Sequence, residues 1–236
     1  MQVLVSVSSV HEAHMALSAG IRLIDLKETS YGALAALELE LSQSIVDAVN
    51  DYRHQYSQTD IVVSATIGDD CLSAIQLVEL IQSRLNIGID VIKLPETIWR
   101  NQACHEAINT FISKRVKLIA VLTPASLSAQ ISIENTLQDL AKAGYWGAMI
   151  DTTQKSRSLT TIVNMDMLAF FVRSAKKINL YTGLAGSLRI EEFDSLAELS
   201  PDYLGFRSGL CFDQRREQSL NPEKVHLLVS KLSEFC

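Results

Sequence analysis

Three lysines stand at or just past the ends of short apolar runs. Lys27 follows Leu23-Ile24-Asp25-Leu26, Lys93 sits in Asp90-Val91-Ile92-Lys93-Leu94, and Lys155 comes shortly after Ala148-Met149-Ile150-Asp151. Lysine is costly to bury and is depleted from strands, so amines at the ends of separate strands suggest a use for them. Amines gathered in one pocket can hold a phosphate, and a neighbouring ammonium can depress the pKa of one member until it is a nucleophile. A neutral lysine adds to a carbonyl, the iminium acidifies the adjacent C–H, and a second group takes that proton to leave an enamine. These residues point to Schiff-base chemistry on a phosphorylated carbonyl compound.

Other candidates fall at similar positions. Asp25 and Lys27 are two residues apart and so share one face of a strand, where the carboxylate could serve as ion-pair partner or proton relay. Ser64-Ala65-Thr66-Ile67-Gly68-Asp69-Asp70 is small and polar, and Asp151 ends another run. Gly183-Leu184-Ala185-Gly186-Ser187 and Gly205-Phe206-Arg207-Ser208-Gly209 are glycine turns of the kind that offer backbone N–H groups to phosphate. Arg207, or Arg215 and Arg216, would add a charged contact. Blander readings exist for each. A lone lysine after a strand is usually a solvated loop residue, Asp25 and Lys27 could form a structural ion pair, and glycines after strands mostly serve turns. The combination on one face favours a site. The five histidines lie in or beside helical stretches and do not join it.

The elements that must position these groups alternate along the whole chain. Strand candidates are Val3–Val7, Leu23–Leu26, Ile61–Ala65, Asp90–Lys93, Leu118–Leu122, Ala148–Ile150, Leu180–Leu184 and Tyr203–Phe206. Helical periodicity is found in His11–Ala19, Leu39–Tyr52, Leu72–Ile87, Asn101–Ser113, Leu127–Ala143 and Met165–Lys177. A last helix, Pro222–Phe235, is announced by Asn221-Pro222, a cap followed by proline at the first helical position. This order predicts parallel strands joined by helices, an α/β fold of the (β/α)8 TIM-barrel type, as a single domain over residues 1–236. An open doubly wound sheet is the alternative, but no GxGxxG follows the first strand. In a barrel the site lies at the C-terminal ends of the strands, where the candidates above fall.

Composition narrows the classes. The 236 residues are 47% hydrophobic and 20% charged, with a formal net charge of −6. The 21 Lys and Arg residues are scattered, which argues against nucleic acid as a partner. The four cysteines form no CxxC and no Cys/His spacing typical of zinc, so no metal site is expected. The pattern suits a reducing, cytoplasmic setting. No apolar run reaches membrane-spanning length, and Met1-Gln2-Val3-Leu4-Val5-Ser6-Val7 reads as a strand rather than a signal peptide. A small molecule is the expected partner, and a homo-oligomer stays open.

Several short motifs, in order and with near-matching spacing, carry a family resemblance over essentially the whole chain. They are Leu4-Val5-Ser6, Ile24-Asp25-Leu26-Lys27, Tyr31-Gly32-Ala33-Leu34 and Val63-Ser64-Ala65-Thr66-Ile67-Gly68-Asp69. They continue with Ile92-Lys93, Met149-Ile150-Asp151-Thr152 with Lys155, Leu184-Ala185-Gly186-Ser187 and Gly205-Phe206-Arg207-Ser208-Gly209-Leu210-Cys211. With these the chain resembles the (5-formylfuran-3-yl)methyl phosphate synthases of methanofuran-type cofactor biosynthesis, found in methanogens and some methylotrophic bacteria. The resemblance implies a barrel that joins two molecules of glyceraldehyde 3-phosphate into 4-(hydroxymethyl)-2-furancarboxaldehyde phosphate, releasing phosphate and water, without a cofactor. It implies Lys27 as the Schiff-base lysine and Lys93 as proton acceptor, with Asp25, Asp151 and Lys155 positioning substrate and moving protons. Ser6, Thr66, Gly186, Ser187, Arg207, Ser208 and Gly209 would bind substrate and phosphate. The chain departs from the family pattern in Glu28-Thr29-Ser30-Tyr31, in Leu122-Thr123-Pro124-Ala125-Ser126 and in Asp213-Gln214-Arg215-Arg216-Glu217. Two other readings stay open: another class I aldolase or isomerase acting on a sugar phosphate, and a non-catalytic phosphometabolite-binding barrel.

Overall fold

Each strand carries two rows of side chains, and in a computed structural model of the chain the two rows meet different surroundings. The structure describes residues 1–236 except Tyr31, Ala33, Leu72, Ser128, Ala129, Lys155 and Cys236. The strands are β1 (Gln2–Val7), β2 (Leu23–Leu26), β3 (Val62–Thr66), β4 (Val91–Leu94), β5 (Lys117–Leu122), β6 (Gly147–Ile150), β7 (Tyr181–Ala185) and β8 (Tyr203–Phe206). All neighbours pair in parallel, and β8 pairs with β1 to close a barrel in sequence order. The helices are α1 (Val10–Ser18), α2 (Leu39–Tyr56), α3 (Ala74–Asn86), α4 (Glu96–Trp99), α5 (His105–Ser113), α6 (Gln130–Ala143), α7 (Leu159–Ile162), α8 (Met165–Lys177), α9 (Phe193–Ala197) and α10 (Pro222–Phe235). Among the described residues, no helix is long and apolar enough to cross a membrane.

The outer row is apolar except for Thr182, whose buried hydroxyl donates to Asp202 Oδ2 at 2.8 Å. Val5, Ile24, Val63, Ile92, Ala120, Ile150, Leu184 and Leu204 are buried in a core shared with helix residues such as Leu17, Val49, Leu77, Phe111, Leu137 and Phe171. Each buried side chain of Val, Leu, Ile or Phe contributes about 1.5–3 kcal/mol, so this layer supplies the favourable term against which polar groups can be buried inside. The inner row changes character along the barrel axis. At the N-terminal end of the strands, Leu4, Leu23, Val91, Ile119 and Tyr203 form a separate apolar cluster. One or two residues further along, the inner row turns polar with Ser6, Asp25, Ser64, Thr66 and Lys93, all buried. Gly183 makes room for the floor: a Cβ there would lie 2.1 Å from Tyr203 Cζ.

Helix starts follow local capping chemistry. Ser9, Ser73 and Asn164 accept hydrogen bonds from the backbone N–H groups of Glu12, Gln76 and Met167, opening α1, α3 and α8. Asn221 accepts from Glu223 N at 2.9 Å before α10. The expected strands and long helices are present, with ends shifted by a few residues. The predicted helix Asn101–Ser113 opens as a 3-10 turn at Gln102–Cys104 that leads into α5, and a separate short helix, α4, for which the sequence marked no bounds, begins directly after Pro95. A similar 3-10 turn at Pro124–Leu127 precedes α6. The sequence marked no bounds for a helix between the last two strands, where α9 lies. Its five residues are too few for a helical period to show.

Candidate active site

Parallel register places Asp25 of β2 opposite Ser6 of β1 on one side and Ser64 of β3 on the other. All three side chains point inward, so the Asp25 carboxylate receives both hydroxyls, Ser6 Oγ at 2.9 Å and Ser64 Oγ at 2.7 Å. Lys93, on β4 opposite Thr66, is long enough to reach past β3, and its Nζ donates to Asp25 Oδ1 at 2.7 Å. Asp25 and Lys93 are each 2% exposed. Burial pushes the Lys93 ammonium below the ordinary lysine value of 10.5. The Asp25 carboxylate works against that shift, and the charge of Lys27 adds to it.

An ion pair between Asp25 and Lys27, one of the readings the sequence left open, is therefore not formed. Lys27 does share a face with Asp25, but its Nζ donates to Asp151 Oδ2 across the barrel mouth, at 3.1 Å. The reason is closure. The end of β6 lies across the lumen from the end of β2, whereas β4 is only two strands away and offers Asp25 a closer ammonium. Two amine–carboxylate pairs thus stand in one water-poor space, with Lys27 8% and Asp151 6% exposed. Lys155 lies outside the described residues.

The pocket above these pairs is lined by Ser6, Thr66, Gly186, Ser187, Arg207 and Ser208 as the sequence suggested. Gly186, at φ +119°, turns the chain into this wall; a Cβ there would press on Thr152 Cγ2 at 2.6 Å. Gly209 stands behind the wall, not in it. A Cβ at this position would meet the Leu188 carbonyl oxygen at 2.2 Å, so the glycine lets the loop after β8 lie against the loop after β7. The Thr66 hydroxyl donates to Ala35 O at 3.1 Å and helps hold the loop after β2.

Arg207 has a different use from the one its charge suggested. A guanidinium has five N–H donors, and here each has an acceptor. Nη1 donates to Glu12 Oε2 (2.6 Å) and Ser6 O (3.2 Å), Nη2 to Gln218 O (3.0 Å) and Ser8 Oγ (3.4 Å), and Nε to Arg216 O (3.0 Å). It clamps the segment that carries Arg216. That second arginine lines the pocket and donates to Gly32 O at 2.8 Å and Glu28 O at 2.9 Å, tying the loop after β8 to the loop after β2. The side chain of Glu28 accepts from the Ser30 hydroxyl and from the backbone N–H groups of Ser30 and Thr29, and these bonds hold its carboxyl below the usual value.

Three further participants were not among the candidate site residues read from the sequence. Glu12 looked like an ordinary acidic residue in a helix's first turn, yet it is 3% exposed and also accepts from Leu220 N at 3.0 Å. Leu34 packs into the inner cluster from a loop. Tyr203, the first residue of β8, forms the floor: its hydroxyl donates to Met149 Sδ at 3.1 Å, and burial, followed by the nearby Asp25 carboxylate, pushes its pKa well above the ordinary tyrosine value. Chemically, the arrangement offers a desolvated amine poised toward neutrality, a second amine beside a carboxylate, and a glycine-turn wall above them.

Comparison with known proteins bears on this geometry. Residues 3–229 match the family model described as 4-HFC-P synthase. A Methylorubrum extorquens protein provisionally named (5-formylfuran-3-yl)methyl phosphate synthase is 35% identical over 237 residues, covering 98% of this chain and 91% of that protein. The (5-formylfuran-3-yl)methyl phosphate synthase of Archaeoglobus fulgidus is 28% identical over 217 residues, covering 91% of this chain and 92% of its own. Among solved structures, phosphoribosyl anthranilate isomerase from Thermus thermophilus superposes with a TM-score of 0.67 at 12% identity over the whole of both chains, a likeness of fold alone.

Proposed function

We propose a function from the premise that this chain belongs to the 4-HFC-P synthase family: it condenses two molecules of glyceraldehyde 3-phosphate into 4-(hydroxymethyl)-2-furancarboxaldehyde phosphate, through a Schiff base, for a methanofuran-type cofactor. The observation that carries the reading is the pair of buried amines, each held by its own carboxylate, Lys93 to Asp25 and Lys27 to Asp151.

In this reading Lys27 adds to the aldehyde carbon of one triose phosphate, and loss of water leaves the iminium. Asp151, 3.1 Å from Lys27 Nζ, is placed to pass the protons this exchange requires. Lys93 then takes the proton from the carbon next to the iminium. Its burial favours the neutral amine that a base must be, and the Asp25 carboxylate receives the ammonium that results. The enamine attacks the second aldehyde, and phosphate elimination, ring closure and dehydration complete the furan. The iminium is the electron sink, so the route asks for no metal. Backbone N–H groups of the Gly186–Ser187 and Ser208 turns would hold phosphate, and Lys155 would assist proton movement.

The test is incubation with glyceraldehyde 3-phosphate, following phosphate release and the ultraviolet absorbance of a conjugated furan aldehyde. A parallel sample is reduced with borohydride and its adduct mapped by mass spectrometry. Phosphate, furan and an adduct on Lys27 support the proposal. An adduct without phosphate or furan would assign the chain to another aldolase reaction. No adduct and no turnover would favour a binding role instead.

A further inference from the structure

Before Lys93 can act as a base it has to lose a proton, and Asp25 opposes that loss. Once the ammonium has passed its proton to water, the carboxylate is a buried anion without its counter-charge, which is costly. How costly depends on what else holds the anion. Two hydroxyls do so. Ser6 Oγ donates to Oδ2 at 2.9 Å, and Ser64 Oγ donates to Oδ1 at 2.7 Å. Oδ1 is also the oxygen that receives Lys93 Nζ, at 2.7 Å. Ser64 and Lys93 thus share one acceptor atom, and Ser6 has the other.

We propose that Ser64 is a positioning residue for proton abstraction: it holds the Asp25 carboxylate as an anion while Lys93 is neutral, and so sets how readily Lys93 becomes the base. The proposal rests on the reading of Lys93 as proton acceptor.

Three observations carry it. The first is place. Ser64 is 4% exposed on β3, with Asp25 of β2 opposite it on one side and Val91 of β4 on the other, so parallel register seats its hydroxyl against the carboxylate. The second is access. Ser6 lines the pocket above the two ion pairs, but Ser64 is not among the residues that do. It lines a space of about 240 Å³ toward the N-terminal ends of the strands, with Leu4, Val91 and Tyr203. Its hydroxyl therefore acts on a substrate only through Asp25 and Lys93. The third is the set of groups that face Lys93. The charged ones are Asp25 and Lys27 on β2 and Asp151 on β6, and Asp151 is engaged by Lys27. Thr66 on β3 donates to Ala35 O, Tyr203 on β8 donates to Met149 Sδ, and the neighbour on β5 is the apolar Ile119. Among the described residues, Lys93 and the two serines are thus the side-chain donors to Asp25.

The direction of the effect follows. A donor that stays on the carboxylate after the ammonium has lost its proton stabilises the product of that loss. Burial and the charge of Lys27 work the same way, against the pull of Asp25. Without Ser64, Asp25 would lean harder on Lys93 and keep it protonated to higher pH.

Ser64→Thr and Ser64→Val share one shape and differ in the hydroxyl, and the space beneath gives room for the added methyl groups. Furan formation from glyceraldehyde 3-phosphate is followed as kcat/KM from pH 6 to 10. Ser64→Thr should track the wild-type profile. Ser64→Val should fall about three- to tenfold below it at pH 7, a part of what a hydrogen bond to a charged group is worth, and the gap should close as pH rises. A deficit of one size at every pH would overturn the proposal, since a residue that only shapes the site gives that result. So would equal rates for the two variants throughout. Titration of the lysine side chains by NMR, with Lys93→Met to assign the Lys93 signal, reads the same effect without turnover. Lys93 should lose its proton at lower pH in Ser64→Thr than in Ser64→Val, and equal midpoints would overturn the proposal. Ser64→Ala replaces Ser64→Val in both measurements if the valine variant does not fold. If the wild-type protein makes neither furan nor a Lys27 adduct, the reading of Lys93 as base falls, and the titration alone decides whether Ser64 loosens the pair.

Discussion

Replacing Asp25 with asparagine tests the buried pair at the centre of the site. The substitution keeps the size of the side chain and an acceptor for one of the Ser6 and Ser64 hydroxyls, but leaves Lys93, 2% exposed, without its counter-charge. Breaking a buried pair from one side costs about 3–5 kcal/mol. The protein has one escape, which is to fold with a neutral amine. Releasing a proton from an ordinary lysine, at 10.5, costs about 1.4 kcal/mol per pH unit below that value, or about 5 kcal/mol at pH 7 and about 2 kcal/mol at pH 9. The sign follows directly. The unfolded variant holds the proton that the folded variant has given up, so the variant's stability rises with pH in this window. The loss relative to wild type is thus about 3–5 kcal/mol at pH 7 and no more than about 2 kcal/mol at pH 9. Urea denaturation of both proteins at the two pH values measures it. A loss under about 1 kcal/mol at pH 7, or the same loss at both pH values, would show that Asp25 does not balance a buried ammonium.

Other consequences can be checked alongside. Lys93→Met should retain the trapped Lys27 adduct while lowering furan formation by about 100-fold or more, the usual contribution of a positioned base; equal loss of both would place Lys93 in binding rather than proton transfer. Because Lys93 must be neutral to act and its pKa lies below 10.5, kcat/KM should climb with pH and level off before that value; a flat profile from pH 6 to 10 would contradict this. Glu12→Gln leaves the clamped Arg207 without its carboxylate and should lower stability by about 3 kcal/mol, read from the denaturation midpoint. Gly209→Ala places a methyl 2.2 Å from the Leu188 carbonyl oxygen; a backbone shift must follow, and a melting temperature equal to wild type would refute that packing.

The sequence by itself determined the alternation of strands and helices, and with it the barrel. Apolar runs such as Leu23–Leu26 and helical spacing such as Met165–Lys177 are local patterns, and the structure has elements with those limits. It also placed Asp25, Lys27, Lys93 and Asp151 at the same end of the barrel, because strand ends in a parallel barrel share one face. What it could not determine was who meets whom. Asp25 and Lys27 are neighbours in the chain, yet each pairs with a residue from another strand, since partner choice depends on register and closure between strands far apart in sequence. Arg207 carried the right charge for an anion contact, but its donors were taken up by Glu12 and by backbone carbonyls that only the folded loops bring near.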